Sequence, residues 1–155
     1  MALTADQIKA TYPLPVYSYK VEIDGKTVAF SEVSGLSVSH ETTTYLESPT
    51  TGIGVRFLYM PAHIKPVNIT MKKGVVIGVS VPTLFAWINS IQLNRVEKKD
   101  IFVRLCDETG AAVISWKVIN AFPTKLDAPT FTASSNDVAI ESMELMADGI
   151  VVEQA

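Results

Sequence analysis

Two histidines, one cysteine and a scatter of serines and carboxylates are the groups in this chain with chemical potential. His40-Glu41 continues as Thr42-Thr43-Thr44, so the second histidine of an HExxH zinc motif is missing, and His63 has no thiol pair to join. No metal site is expected. Cys106 stands in an apolar run, where a free thiol packs as a small hydrophobe, and a single cysteine forms no intramolecular disulfide. Gly52-Ile53-Gly54 opens like a dinucleotide loop, but Phe57 occupies the place of the third glycine and a strand-like segment follows. Gly74 to Gly78 lacks the lysine and hydroxyl of a phosphate-cradling loop, and no nucleophile-elbow motif singles out a serine. Asn68-Ile69-Thr70 matches a glycosylation sequon, which a chain without a leader would not use. Lys72-Lys73 and Lys98-Lys99 read as solvated ends of elements. Glu141 and Glu144, three apart in a strand, fall on opposite faces and read as having separate partners. No catalytic, cofactor-binding or metal-ligating residue is assigned.

The elements that would position any such group are mostly strands. Short apolar segments divided by Gly, Pro, Asn and Asp recur from Tyr17 onward. Val16 to Ile23, the turn Asp24-Gly25 and Thr27 to Phe30 read as a hairpin. Leu36 to Tyr45 and Val55 to Met60 read as two strands joined by a protruding loop, Leu46 to Gly54, and Val67 to Met71 as a strand stopped by Lys72-Lys73-Gly74. One helix is expected over Pro82 to Leu93, where Pro82 suits a first helical position and Leu84, Trp87, Ile88 and Ile91 make one buried stripe. Ile101, Val103 and Leu105 alternate with Phe102, Arg104 and Cys106, and the turn Asp107 to Gly110 returns the chain through Val113 to Val118. The last expected strand, Asp137 to Met146, is partly apolar on both faces.

At 155 residues and 48% hydrophobic, the chain is the size of one domain and can bury a substantial core; disorder is excluded. Charged residues make up 19%, few for a small monomer, which fits further burial in an oligomer. Sixteen acidic against thirteen basic residues leave a net charge of −3, without the basic excess that duplex nucleic-acid binding requires. The start MALTADQIKA has neither a basic nor an apolar leader region, and no apolar run approaches a membrane span of about 20 residues. Synthesis and assembly in the cytoplasm without a signal peptide, and no stable membrane insertion, are therefore expected.

Several segments in order resemble the inner tube proteins of contractile phage tails and contractile injection systems, a family related in fold to the type VI secretion tube protein. They are Tyr19 to Gly25, Phe30 to Leu36, Asn68 to Gly74, Trp87, Asp100 to Asp107, Trp116 to Lys125 with Asn120-Ala121-Phe122-Pro123, and Asn136 to Leu145. The family more often has tryptophan at the place of Phe122, and Pro-Gly at that of Pro61-Ala62. The resemblance implies a mainly β fold, a two-sheet β-barrel or sandwich with one packed α-helix. It implies a single tail-tube-like domain, 1–155, with 1–16 as an N-terminal arm. It also implies a structural, non-enzymatic role: hexameric rings stacked into a hollow tube, driven through a target envelope within a virion or phage tail-like particle, with an extracellular destination open. The implied partners are further copies of the chain, a surrounding sheath protein, the baseplate or spike hub, a tube terminator, and protein cargo or DNA in the lumen. Open strand edges would be paired by ring neighbours, and heterologous ring faces would propagate into a filament.

The loop Leu46, Glu47, Ser48, Pro49, Thr50, Thr51, Gly52, Ile53, Gly54 is too long for a tight hairpin and carries no catalytic group, and the resemblance implies that it stacks on the neighbouring ring, with the segment before Tyr17 helping. The period-two rule places Ser37, Ser39, Glu41 and Thr43 on one polar face, assigned to the lumen because cargo passage needs small hydrated side chains. The alternatives are a baseplate tube-initiator paralogue and a stand-alone β-sandwich binding module.

Overall fold

The computed structural model describes residues 2–154; Met1 and Ala155, the outermost residues of the expected domain, lie outside the described residues. The strands are β1 (Tyr19–Ile23), β2 (Lys26–Val28), β3 (Glu32–Ser34), β4 (His40–Glu47), β5 (Arg56–Ile64), β6 (Val67–Gly74), β7 (Lys99–Cys106), β8 (Ala112–Asp127), β9 (Ile140–Ala147) and β10 (Gly149–Gln154). Eight of them form a continuous antiparallel ladder in the order β2-β1-β7-β8-β9-β6-β3, with β10 also on β8, while among the described residues β4 and β5 pair only with each other. Both expected hairpins are present. Asp24 and Gly25 carry the positive φ values, 53° and 77°, that a two-residue turn of this hand demands.

Strand β8 makes two layers out of one ladder. Residues up to Ala121 pair with β7 and β10, those from Phe122 onward pair with β9, and the register slips between Pro123 and Lys125. Val21, Ile23, Ile101, Val103 and Val118 from one layer meet Ile69, Met71, Met143 and Leu145 from the other in a single apolar cluster. Strands β6 and β9 bury every second residue, the alternation of strands with one face on a core. Each such fully buried side chain is worth about 1.5–3 kcal/mol. Cys106 is buried, as expected of a packed thiol.

The expected helix is shorter than Pro82 to Leu93 and begins differently. A π-helical segment, Ser80–Phe85, runs directly into an α-helix, Ala86–Asn89. Leu84 and Trp87 are buried, and Ile88 and Ile91 half-buried, so the stripe does face the core. The Trp87 indole N–H donates to the Glu97 carbonyl at 2.8 Å, and the Lys99 ammonium sits 5.1 Å over its ring. A second helix, α1 (Ala5–Thr11), stands within the expected arm, started by a reciprocal capping box between Thr4 and Gln7. It buries none of its own residues, and Lys9 ties it to Glu108 in the β7–β8 turn at 2.8 Å.

Three further readings are corrected. β6 continues through Lys72 and Lys73 rather than stopping at solvated lysines. Lys73 is buried because Glu141 on the neighbouring strand lies 3.3 Å away and the Gly74 carbonyl and Ser80 hydroxyl take its other protons, at 2.7 and 3.1 Å. Lys99 likewise belongs to a strand, half-buried and 3.7 Å from Asp24. The chain also does not end its sheet at Met146: Asp148 turns it back and β10 covers the outer edge of β8. Glu141 and Glu144 do have separate surroundings, Glu141 buried on Lys73 and Glu144 exposed.

Candidate functional site

Among the described residues the β4–β5 hairpin pairs with no other strand, and Gly35 launches it. A Cβ on Gly35 would stand 2.2 Å from the Asn68 carbonyl oxygen of β6, and its φ is +88°, so the close crossing over β6 requires glycine. Residues 36–39 then run unpaired, and the strand expected from Leu36 starts only at His40. The reason lies opposite: β5 ends at Ile64 and Pro66 has no N–H to extend a ladder, so only the Lys65 N–H reaches the Ser39 carbonyl, at 2.9 Å.

Register decides what each side of the hairpin carries. Leu46 faces Phe57, Thr44 faces Tyr59 and Thr42 faces Pro61, which makes one side free of charge. On the other side lie Glu47 with Arg56, Tyr45 with Leu58, and Thr43 with Met60; Glu41 follows by alternation. Leu46, Phe57 and Tyr59 are 54%, 56% and 79% exposed on the uncharged side. A two-stranded hairpin is marginal in water by itself, and one with exposed apolar side chains on both sides is incomplete.

Of the four residues read as one polar face, Glu41 and Thr43 do share a side of β4. Ser37 and Ser39 lie in the unpaired approach, outside the alternation that was to align them. The Glu41–Thr43 side is also not wholly polar, since Tyr45 and the cross-strand Leu58 and Met60 join it. Of the nine loop residues, Leu46 and Glu47 are strand residues paired with Phe57 and Arg56. Ser48 to Gly54 form the tip with Val55, exposed except for a half-buried Pro49. Ile53 at the tip is wholly exposed.

A cavity of about 430 Å³ opens between the two layers where β3, the end of the ladder, faces β1 and β7. Its walls include Tyr19, Val33, Leu36, Val103, Leu105 and Trp116, several of which pack directly on the core cluster. The Tyr19 hydroxyl donates to the Phe30 carbonyl at 2.6 Å, and burial, with the Glu32 charge adding, raises its pKa above the usual 10.0. Register alone exposes the apolar row Leu46, Phe57 and Tyr59; sequence reading had the strands but not their pairing. Among the described residues no group of three or more His, Cys, Asp or Glu is placed to hold a metal ion, and no helix is long and apolar enough to cross a membrane.

The described residues thus leave a hairpin that pairs with no other strand and an apolar opening at the surface. A family model described as T4-like virus tail tube protein gp19 matches residues 15–151. The chain belongs to this tail tube family. A chain of the PVC sheath-tube complex of an extracellular contractile injection system, in the extended state, is 41% identical, with 99% of this chain and 100% of that chain covered and a TM-score of 0.90. A chain of the anti-feeding prophage tube-terminating cap is 42% identical, with both chains covered in full and a TM-score of 0.85. A chain of the PVC sheath/tube terminator in the extended state is 43% identical over 92% of this chain and 97% of that one, at a TM-score of 0.82. Curated protein sequences give no match. The family resemblance read from the sequence is borne out: this is a tail tube protein of the contractile injection type.

Proposed function

We propose that this tail tube protein is a non-enzymatic building block, one domain with residues 1–16 as an arm, that forms hexameric rings stacked into a hollow tube. The tube is enclosed by a contractile sheath, starts on a baseplate or spike hub, ends at a terminator and conducts protein cargo or DNA as it is driven through a target envelope. The observation that carries this is a pair of facts held together: the family assignment, and a hairpin that pairs with no other strand among the described residues and leaves Leu46, Phe57 and Tyr59 exposed. Similarity at 41% to a chain of a sheath-tube complex, end to end, supports the main tube reading and its place in an extracellular particle.

The tip Ser48 to Gly54, entered through Leu46 and Glu47, is the proposed contact to the next ring. The side of β4 carrying Glu41 and Thr43, with Ser37 and Ser39 in the approach, is the proposed lumen wall; it holds every charge of the hairpin strands, as a hydrated channel surface requires. Shortening the 48–55 tip should leave rings but abolish long tubes in negative-stain images, and tubes of normal length would remove the tip from stacking. A cysteine at Ser39 in a Cys106→Ser background should resist a bulky maleimide in end-capped tubes and react in dispersed subunits. Equal labelling in both states would put this segment outside.

A further inference from the structure

We propose that the buried group Lys73, Glu141 and Ser80 is a register lock: it selects the π-helical winding of Ser80–Phe85, and so fixes the shape of an uncharged end of the subunit that meets a second copy. The lock itself stands on the single subunit; its service to the contact rests on the tube reading above. A lock is needed because the sequence does not ask for a π-helix. Leu84, Trp87, Ile88 and Ile91 repeat with the α-helical period, yet the Ala86 N–H donates to the Val81 carbonyl, five residues back. The winding is α-helical again by Ser90, whose N–H donates to the Ala86 carbonyl at 3.1 Å. Two fixed points account for the wide turn. Beyond it Leu84 and Trp87 are buried, and the Trp87 indole is held on the Glu97 carbonyl. Before it Ser80 is buried, its hydroxyl oxygen accepting from the Lys73 ammonium and from the Val76 N–H, each at 3.1 Å. An α-helix turns by about 100° per residue, so rewinding the π turn as α would swing Ser80 by about that angle relative to Leu84 and Trp87. One fixed point would have to give way.

Charge suits the lock because it has direction. The ammonium gives its three protons to Glu141 on β9, to the Gly74 carbonyl at the end of β6 and to Ser80 at the start of the helix, so one group fixes three elements in one arrangement. Apolar side chains would fill the same space without choosing among windings. Pro82, which has no N–H, removes one α-helical bond but does not hold Ser80 in place.

What the lock shapes is exposed. Val75, Val76 and Ile77 between β6 and the helix, then Val81 and Phe85 on it, all stand in solvent, and the sequence carries no charged residue from Gly74 to Asn94. The β8–β9 connection widens this surface: the Val75 N–H donates to the Ala139 carbonyl at 2.9 Å, and Val138 and Phe131 share an exposed crevice. An apolar surface without charge suits the permanent contact of a homo-oligomer rather than one that must part. Its position names the occupant. Strand β6 starts at the base of the hairpin and ends here, about 25 Å on, so the subunit has two different surfaces at opposite ends of one strand. Head-to-tail stacking of identical copies requires such a pair.

The test reads winding and assembly separately, on the full-length chain. In isotope-labelled dispersed subunits, the nuclear magnetic resonance coupling across the hydrogen bond should join the Ala86 nitrogen to the Val81 carbonyl carbon in the wild type. In Lys73→Met/Glu141→Leu it should move to the Pro82 carbonyl, the α-helical acceptor. Ser80→Ala, which keeps the ion pair, should move it too and serves if the double variant does not fold. On baseplate components these variants should give no long tubes in negative-stain images, although their dispersed subunits still unfold in one cooperative transition. A Val81 coupling retained in the variants would overturn the lock and leave Pro82 as the cause of the winding. A moved coupling with tubes of normal length would overturn the service to the contact. Wild-type subunits that stay dispersed on baseplate components would overturn the tube reading, while the coupling still decides the lock.

Discussion

Removing Glu141 leaves the Lys73 ammonium buried with only neutral acceptors. In the native structure its three protons go to the Glu141 carboxylate, the Gly74 carbonyl and the Ser80 hydroxyl, and Ser80 in turn accepts from the Val76 N–H at 3.1 Å. The cluster thus fastens the start of the π-helical segment to β6 and β9, and so holds Leu84 and Trp87 over the core. Breaking a buried pair by truncating one partner costs about 3–5 kcal/mol; with two acceptors remaining, Glu141→Leu should fall near the lower end, about 3 kcal/mol. For a chain of this length that lowers the melting temperature by about 6–12 °C. The double variant Lys73→Met/Glu141→Leu removes both charges from an apolar site and should recover to within about 1 kcal/mol of the wild type. Urea unfolding of dispersed subunits measures all three free energies. A single variant within 1 kcal/mol of wild type, or a double variant no more stable than the single, would refute this reasoning about the cluster.

Trp87→Ala should cost about 3–5 kcal/mol in the same assay, since it empties a core position and frees the Glu97 carbonyl; near-normal stability would show that the helix does not close the core. Gly35→Ala should cost more than about 2 kcal/mol, from its positive φ and from the clash with the Asn68 carbonyl, and a smaller loss would mean the crossing relaxes easily. The docking of α1 should depend on pH. The hydrogen bond to Lys9 lowers the Glu108 pKa, a hydrogen bond from Thr109 lowers that of Asp107, and the bond to Glu108 raises that of Lys9. The carboxylates' contributions are therefore present above their ordinary values of 4.5 and 3.8 and lost as pH falls through the lower folded values. That of Lys9 is complete below 10.5 and lost as pH climbs through its raised value. Amide chemical shifts of Ala5–Thr11 should hold steady across neutral pH and move in acid; a flat acid titration would exclude the tie.

The elements legible in the sequence were those fixed locally. Asp24-Gly25 and Asp107 to Gly110 announce their hairpins because turn geometry requires residues that tolerate positive φ, and the Leu84–Trp87 stripe announces the helix because its period is internal. What escaped depends on distant partners. Leu36 to Ser39 alternates like a strand, yet beyond the single Lys65 bond to Ser39 it gains no ladder once Pro66 interrupts the opposite chain. Lys73 carries a charge that only Glu141, far along the sequence, makes tolerable inside. β3 and β10 are short edges recognisable only by what they pair with. One local signal also went unread: the capping box Thr4 to Gln7, which starts α1 inside the expected arm. For the candidate site, the exposed tip between β4 and β5 was visible as a Pro- and Gly-punctuated stretch, but the sorting of charge to one side of the hairpin needed the register across both strands.

The central claim, that this chain completes itself by forming hexameric rings that stack into a tube, is tested most directly by cryo-electron microscopy of the purified protein assembled on baseplate components. The account predicts hollow tubes with six-fold averaged cross-sections, with no hairpin left free. Strictly monomeric particles under those conditions, or closed assemblies of other symmetry with the β4–β5 hairpin exposed to solvent, would contradict it.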